Sequence, residues 1–295
     1  MFFLSPQMFL FFSIYLFFLL LIACVDSFFM FWSIIEFSTL IFIGLAYSSF
    51  KNSFSRLLVF FIIQSYSAFI ILVFFCINFS FGFTFTILLK LSIFPFYFWY
   101  LSIIPFFPNF MLLFSRTFFK IPSIIIIYNF FYILNYNIFF VSRILTIFFG
   151  ALAMIGRNDL RFILISSSVV NNSWFFFSQM VRLVVFLVYF LVYFLVLTTL
   201  MYYIRSNSAT NFLSYCSTSQ SKLIVFSLLT LSGLPPFPLF YSKILVVYLL
   251  IANMQYFFIP LLLLLISVLT LVGYLKHVFT ILIYRYFNAF NLIIN

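Results

Sequence analysis

The chain is a succession of long apolar runs separated by short polar breaks. Runs of about 20 residues, the length that crosses ~30 Å at 1.5 Å per residue, recur from one end to the other. The pattern predicts ten helical spans, at residues 8–24, 28–47, 57–78, 80–104, 109–134, 138–156, 162–179, 183–204, 222–250 and 257–281. It therefore predicts an all-α polytopic membrane protein. Spans four and nine are long and carry helix breakers: Pro95 in the fourth, and Gly233, Pro235, Pro236 and Pro238 in the ninth. Proline lacks the amide proton that a helix interior requires. Read as a single membrane domain over 1–295 with one repeat at about 8–134 and another at 138–281, the chain places a broken helix fourth in each repeat. An odd number of spans per repeat makes the two inverted, as in many transporters. The alternative is that the prolines at 235, 236 and 238 mark a loop between two short helices.

Composition sharpens the membrane reading. The sequence is 67% apolar with 6% charged residues, and its mean hydropathy is +1.33. The formal charge of +11 would suggest nucleic acid for a soluble protein. Here the basic residues fall mostly between apolar runs, as charges that set topology do, so nucleic acid is a poor partner. With the amino terminus on one side, that side receives Lys51, Arg56, Arg157, Arg161, Arg205, Lys222, Lys276 and Arg285, and the other receives only Arg182. Such a bias marks the first side as the cytoplasmic or matrix side. Residues 1–24 lack a basic start and a small-residue cleavage site, and read as a retained first span. The abundance of Phe, 54 residues, with Ile, Tyr and Asn fits a T-rich organellar genome.

Several charges fall inside the runs, where an ionised side chain costs ~2.5–3.5 kcal/mol on insertion scales and normally faces protein or a water-filled path. Lys90 lies deep in LLKLSIFPFYFWYLS, five residues before Pro95; Glu36 lies in FWSIIEFSTL; Lys120 is followed by Pro122; Lys243 lies in the ninth span, just after its helix breakers. For Lys90 the competing reading is a lysine that snorkels to the interface. Arg116, one helical turn before Lys120 on the same face of the expected fifth helix, and Arg143 read better as structural arginines. Glu36 and Lys120 have no cheaper explanation than an ion path. Soluble-enzyme chemistry is missing from the pattern. There is no glycine-rich phosphate loop, carboxylate pair or Ser/His/Asp set. Cys24, Cys76 and Cys216 are widely spaced and form no CxxC pair, and His277 is the one histidine, so neither a disulfide framework nor a metal centre is supported.

Three motifs carry a resemblance to a known family. LLKLSIFPFYFW resembles the lysine-bearing broken helix of the antiporter-like subunits of respiratory complex I, RNDLRFILISSSVVNNSW their charged loop and Ser-Ser helix, and SGLPPFPLFYSK their second broken helix. The resemblance runs from Glu36 to Lys243. It implies a proton path in which Glu36 and Lys90 pair in a first half-channel, Lys120 bridges on the next helix, and Lys243 stands on the second broken helix. It implies that this chain holds no cofactor, while NAD, FMN, iron–sulfur clusters and ubiquinone belong to partner subunits. Its partners would be other membrane-arm subunits, antiporter-like chains among them, and membrane lipids. Its place would be the mitochondrial inner membrane, with the amino terminus in the matrix. The sequence departs from the family at Tyr97 and Asn171, where histidines are usual, so water or hydroxyl groups must serve there. The family's last helix is expected to be missing or reduced. A second reading is a free-standing cation/proton antiporter, weakened by the lack of a second intramembrane acid; a third is a structural arm subunit whose charges no longer conduct.

Overall fold

The computed structural model describes residues 6–25, 27–49, 54–157, 159–206, 221–253 and 258–294. Lys51, Asn158, Cys216 and the rest of the segment 207–220 lie outside them, as do the side chains of Arg205 and Arg285. Among the described residues there are helices and turns and no strand. Six helices are long and apolar enough to cross a membrane, and four shorter apolar helices accompany them, so the chain is a polytopic membrane protein. It divides into two compact units, Met1–Arg143 and Ile144–Asn295.

The first unit holds α1 (Pro6–Ala23), α2 (Phe28–Ser49), α3 (Phe54–Cys76), α4 (Ser80–Lys90), α5 (Phe98–Ile103), α6 (Asn109–Arg116), α7 (Ile121–Asn129) and the start of α8 (Tyr136–Ile155). Helices α1 to α4 pack in sequence, each on the next, and α7 returns against α1 and α2. The packing medium is Phe. Phe42 is fully buried, and its ring centroid lies 4.6 Å from Phe119, 5.1 Å from Phe60 and 5.6 Å from Phe114. Stacked and tilted ring contacts of this kind add to area burial.

The division between units falls within α8. The second unit continues with α9 (Leu160–Val181), α10 (Leu183–Ser206), α11 (Ser221–Ser232), α12 (Pro238–Asn253) and α13 (Phe258–Ile294). Helix α10 packs on α9, α11 and α12, and α13 packs on α11 and α12. Helix α9 contains SSSVVNNS, too polar to face lipid, and every residue from Ile163 to Ser178 is buried. Its hydroxyls turn back on their own helix, as in Ser166, Ser167 and Ser168 to Ile163, Leu164 and Ile165 carbonyls at 2.7–2.9 Å. Helix α13 runs 37 residues, past the expected end at 281, because nothing from Tyr284 to Ile294 is Gly or Pro.

Candidate functional site

Spans four and nine are both interrupted, and in each case the lysine lies at the interruption. In the first unit α4 ends at Lys90 itself and α5 begins at Phe98. The turn between them contains Ser92 at φ +55° and a cis Phe94–Pro95 bond. A broken helix leaves carbonyls without partners, which must be satisfied away from water. Leu88 O accepts from Ile93 N at 2.9 Å, Leu89 O from Trp99 Nε1 at 3.1 Å, and Lys90 O from Gln64 Nε2 at 3.4 Å. Gln64 on α3 is fully buried, and its Oε1 has no hydrogen-bond partner among the described residues.

The Lys90 side chain is buried and its Nζ also lacks a hydrogen-bond partner among the described residues. It lies within electrostatic range of Glu36, half-buried on α2. Two small cavities meet at Lys90. One, about 10 Å³, opens towards α2, α3 and α7 and is lined by Trp32, Ile35, Ala68 and Ile126. The other, also about 10 Å³, lies between Lys90 and Lys120 and is lined by Ser92, Trp99, Tyr100 and Ser123. That volume is at the lower limit for a single water.

Lys120 is positioned by an interruption that the apolar pattern did not predict. The fifth span, expected as one helix over 109–134, divides: α6 stops at Arg116, Thr117 has φ −120° and ψ −86°, and a 3-10 turn over Phe118–Lys120 leads into α7. The sequence signal was Pro122, in the first turn of α7. The freed carbonyls are taken by tyrosines, Tyr100 OH donating to Ser115 O at 3.3 Å and Tyr15 OH to Phe118 O at 3.1 Å. Lys120 Nζ stands 5.0 Å from the Tyr100 ring centroid, in cation–π range. Because of the break, Arg116 is not one helical turn from Lys120 on a common face. Arg116, Lys120 and Arg143 are nonetheless buried together and interact electrostatically.

In the second unit Gly233, at φ +74°, ends α11 in the left-handed conformation that glycine adopts freely, and the turn includes a cis Pro235–Pro236 bond. Residues 233–237 separate two short helices, so the loop reading and the broken-helix reading describe the same object. Lys243 on α12 is buried. Its Nζ donates to Ser232 O, the last carbonyl of α11, at 3.5 Å, and lies 5.9 Å from the Trp174 ring centroid. A Cβ at position 233 would stand 3.1 Å from that Nζ. The one acid described in this unit, Asp159, is exposed at the start of α9. Lys90 thus has a carboxylate within electrostatic range, whereas Lys243 is held by a carbonyl and an indole.

At the two positions where the sequence departs from the family pattern, Tyr97 is buried beside Phe94 and Phe98, with ring centroids 6.5 Å and 4.1 Å away. Asn171 accepts a hydrogen bond from Tyr189 OH at 2.8 Å and donates to Ser167 O at 2.9 Å. Gln64, Tyr100 and Trp174 belong to these sites and were not singled out by the sequence. As neutral side chains in apolar runs they carry no charge signal.

No family model matches the sequence, and no curated protein matches it. Solved structures do. The fold matches a chain of respiratory complex I from Thermus thermophilus with bound aureothin at a TM-score of 0.80 and 17% identity, over 93% of this chain and 70% of that one. It matches a chain of the Mrp complex from Dietzia sp. DQ12-45-1b at 0.70 and 17%, over 85% and 56%. It matches a chain of the membrane-bound sulfane sulfur reductase, an archaeal respiratory membrane complex, at 0.66 and 13%, over 84% and 60%. This chain spans 70% of the first and less than two thirds of the other two. The polytopic helical architecture with its interrupted helices is therefore a fold shared with chains of these membrane complexes.

Proposed function

We propose that the chain is an antiporter-like, proton-translocating membrane-arm subunit of a respiratory NADH:ubiquinone oxidoreductase, the counterpart of its chain 2 in the mitochondrial inner membrane, with the amino terminus in the matrix. The observation that carries the reading is the line Glu36, Lys90, Lys120. A buried ammonium at a helix break, without a hydrogen-bond partner among the described residues, has a carboxylate within electrostatic range and a second buried lysine across a water-sized cavity. The motif resemblance and the shared fold support the same assignment. NAD, FMN, iron–sulfur clusters and ubiquinone belong to partner subunits in this reading, and the other antiporter-like chains are its neighbours in the arm.

The chemistry is proton transfer alone. Neutral Lys90 accepts a proton on its nitrogen lone pair, Glu36 holds the resulting ammonium, and release passes the proton through water towards Lys120. Two unit charges about 6 Å apart at an effective dielectric of about 20 attract by roughly 3 kcal/mol. Moving one charge through 100 mV costs about 2.3 kcal/mol, so making and breaking such a pair is large enough to gate a proton against that field. In the assembled complex, Glu36→Gln should lower the proton-to-electron ratio of NADH oxidation while assembly is retained, and Lys90→Met should do at least as much. Wild-type ratios in both variants would leave the pair structural. A chain that instead ran alone on a native gel and exchanged cations in liposomes would be the free-standing antiporter.

A further inference from the structure

The second unit buries a set of titratable groups that the lysine sites do not use. Tyr189 and Tyr193 are fully buried on α10; Tyr274 and His277 are 2% and 1% exposed on α13. Each pair is about one helical turn apart, on one face of its helix. Tyr189 interacts electrostatically with both Tyr193 and Tyr274, so the phenols of the two helices gather in one place. At its inner end the set is anchored by Asn171, which takes the Tyr189 hydroxyl at 2.8 Å. At its outer end His277 Nε2 lies 3.3 Å from Met154 O, and the adjacent Lys276 donates to Ile155 O at 2.8 Å. Those carbonyls close α8, next to Arg157 and Arg161, and so mark the basic end of the unit. Asn171 is eleven residues into α9 from that end, about 16 Å at 1.5 Å per residue, or half the thickness of a bilayer core.

Burying a hydroxyl is costly unless it is used. Phe outnumbers Tyr by 54 to 19 in this chain, so Phe is the cheap filler for an apolar contact. Three tyrosines and the chain's one histidine on a line from the basic end to mid-depth are not the cheapest packing.

We propose that His277, Tyr274, Tyr193 and Tyr189 form a proton-exchange path from the basic end of the second unit to Lys243, with Asn171 as the residue that holds the Tyr189 hydroxyl. This rests on the proton-translocating reading given above. In each hop a group accepts a proton on a lone pair as its own leaves: the imidazole at one ring nitrogen and from the other, each phenol at its oxygen and from its O–H. One proton enters for one that leaves, nothing is oxidised, and water spans the gaps. The final acceptor is the neutral amine of Lys243. A charged ammonium offers no lone pair, and then Tyr189 donates to Asn171 instead, so the amide sets the resting orientation of the last hydroxyl. Trp174, whose Nε1 has no hydrogen-bond partner among the described residues, lies one turn beyond Asn171 and against Lys243, and supplies a polar N–H to a water at that junction.

The test uses the intact membrane complex, with the uncoupled NADH oxidation rate and the proton-to-electron ratio measured together. Tyr189→Phe and Tyr274→Phe should lower the ratio while the uncoupled rate stays at wild type; Tyr202→Phe, exposed on the same α10, should move neither. His277→Gln keeps an N–H for the Met154 carbonyl but has no second nitrogen to release a proton, so it should lower the ratio even where a tyrosine variant fails to assemble. A wild-type ratio in assembled His277→Gln, with Glu36→Gln lowered, overturns the path and leaves the proposed function standing. A wild-type ratio in His277→Gln, Glu36→Gln and Lys90→Met alike overturns both.

Discussion

Gln64 shows how a neutral side chain supports the helix break at a charged one. Its amide donates to the Lys90 carbonyl at the end of α4, and its Oε1, like Lys90 Nζ, has no hydrogen-bond partner among the described residues. Gln64→Leu should leave that carbonyl unpaired, at a cost of about 1–3 kcal/mol, and lower the thermal midpoint of the complex. Gly233 is the matching control point in the second unit. An alanine there must adopt φ +74° and place its Cβ 3.1 Å from Lys243 Nζ, and the left-handed conformation alone costs ~1–2 kcal/mol. Gly233→Ala should therefore lower the thermal midpoint and, in the proposed function, the proton-to-electron ratio, whereas Gly156→Ala, exposed and open, should change neither. The charged residues Glu36, Lys90, Lys120 and Lys243 were legible because an ion in an apolar run is rare. Gln64, Tyr100 and Trp174 were not, because an amide or an aromatic ring among Phe and Leu looks like packing until its neighbours are known.

At the scale of elements, long apolar runs were read with little error because a membrane helix is specified mainly by length and hydropathy. The errors lie where a few residues decide. The break between α6 and α7 had only Pro122 as a signal, and the spacing of Arg116 and Lys120 mimicked a continuous helix. The close approach of α3 and α4 had no signal beyond a glycine. A Cβ on Gly82 would stand 2.6 Å from the Phe79 ring and 2.8 Å from the Phe74 ring. Gly82→Leu should push α4 away from α3 and reduce the yield of folded protein, as overpacking of a tight contact does. Helix α9 is the reverse case. Its polar run argues against a lipid-facing span, and burial from Ile163 to Ser178 by the rest of its unit is what allows SSSVVNNS to be helical there.

On the scale of the molecule, the basic residues of the second unit offer a direct check on orientation. Lys276 meets the end of α8 beside Arg157, while Arg182 follows the far end of the 22-residue α9, a separation of about 33 Å at 1.5 Å per residue. In the proposed orientation, Lys276→Cys should react with an impermeant thiol reagent from the matrix side only, and Arg182→Cys from the intermembrane side only. Reaction of Lys276→Cys from the intermembrane side only and of Arg182→Cys from the matrix side only would reverse the assignment.

The two cavities at Lys90 also decide what can travel. A metal cation moves through protein only where oxygen atoms replace its hydration shell, about six of them for a hard ion. The cavity towards α2 is lined by Phe28, Phe31, Trp32, Ile35, Ala68, Ile71, Lys90 and Ile126, with no side-chain oxygen among them, and the one towards Lys120 has Ser92, Tyr100 and Ser123. Each has room for about one water. A sodium ion entering either would have to shed nearly its whole shell beside a positive charge, whereas a proton needs only one lone pair at a time. In the proposed proton-translocating role the first unit would thus sieve ions by size as well as charge, and exchanging sodium for potassium in the medium should leave the proton flux unchanged.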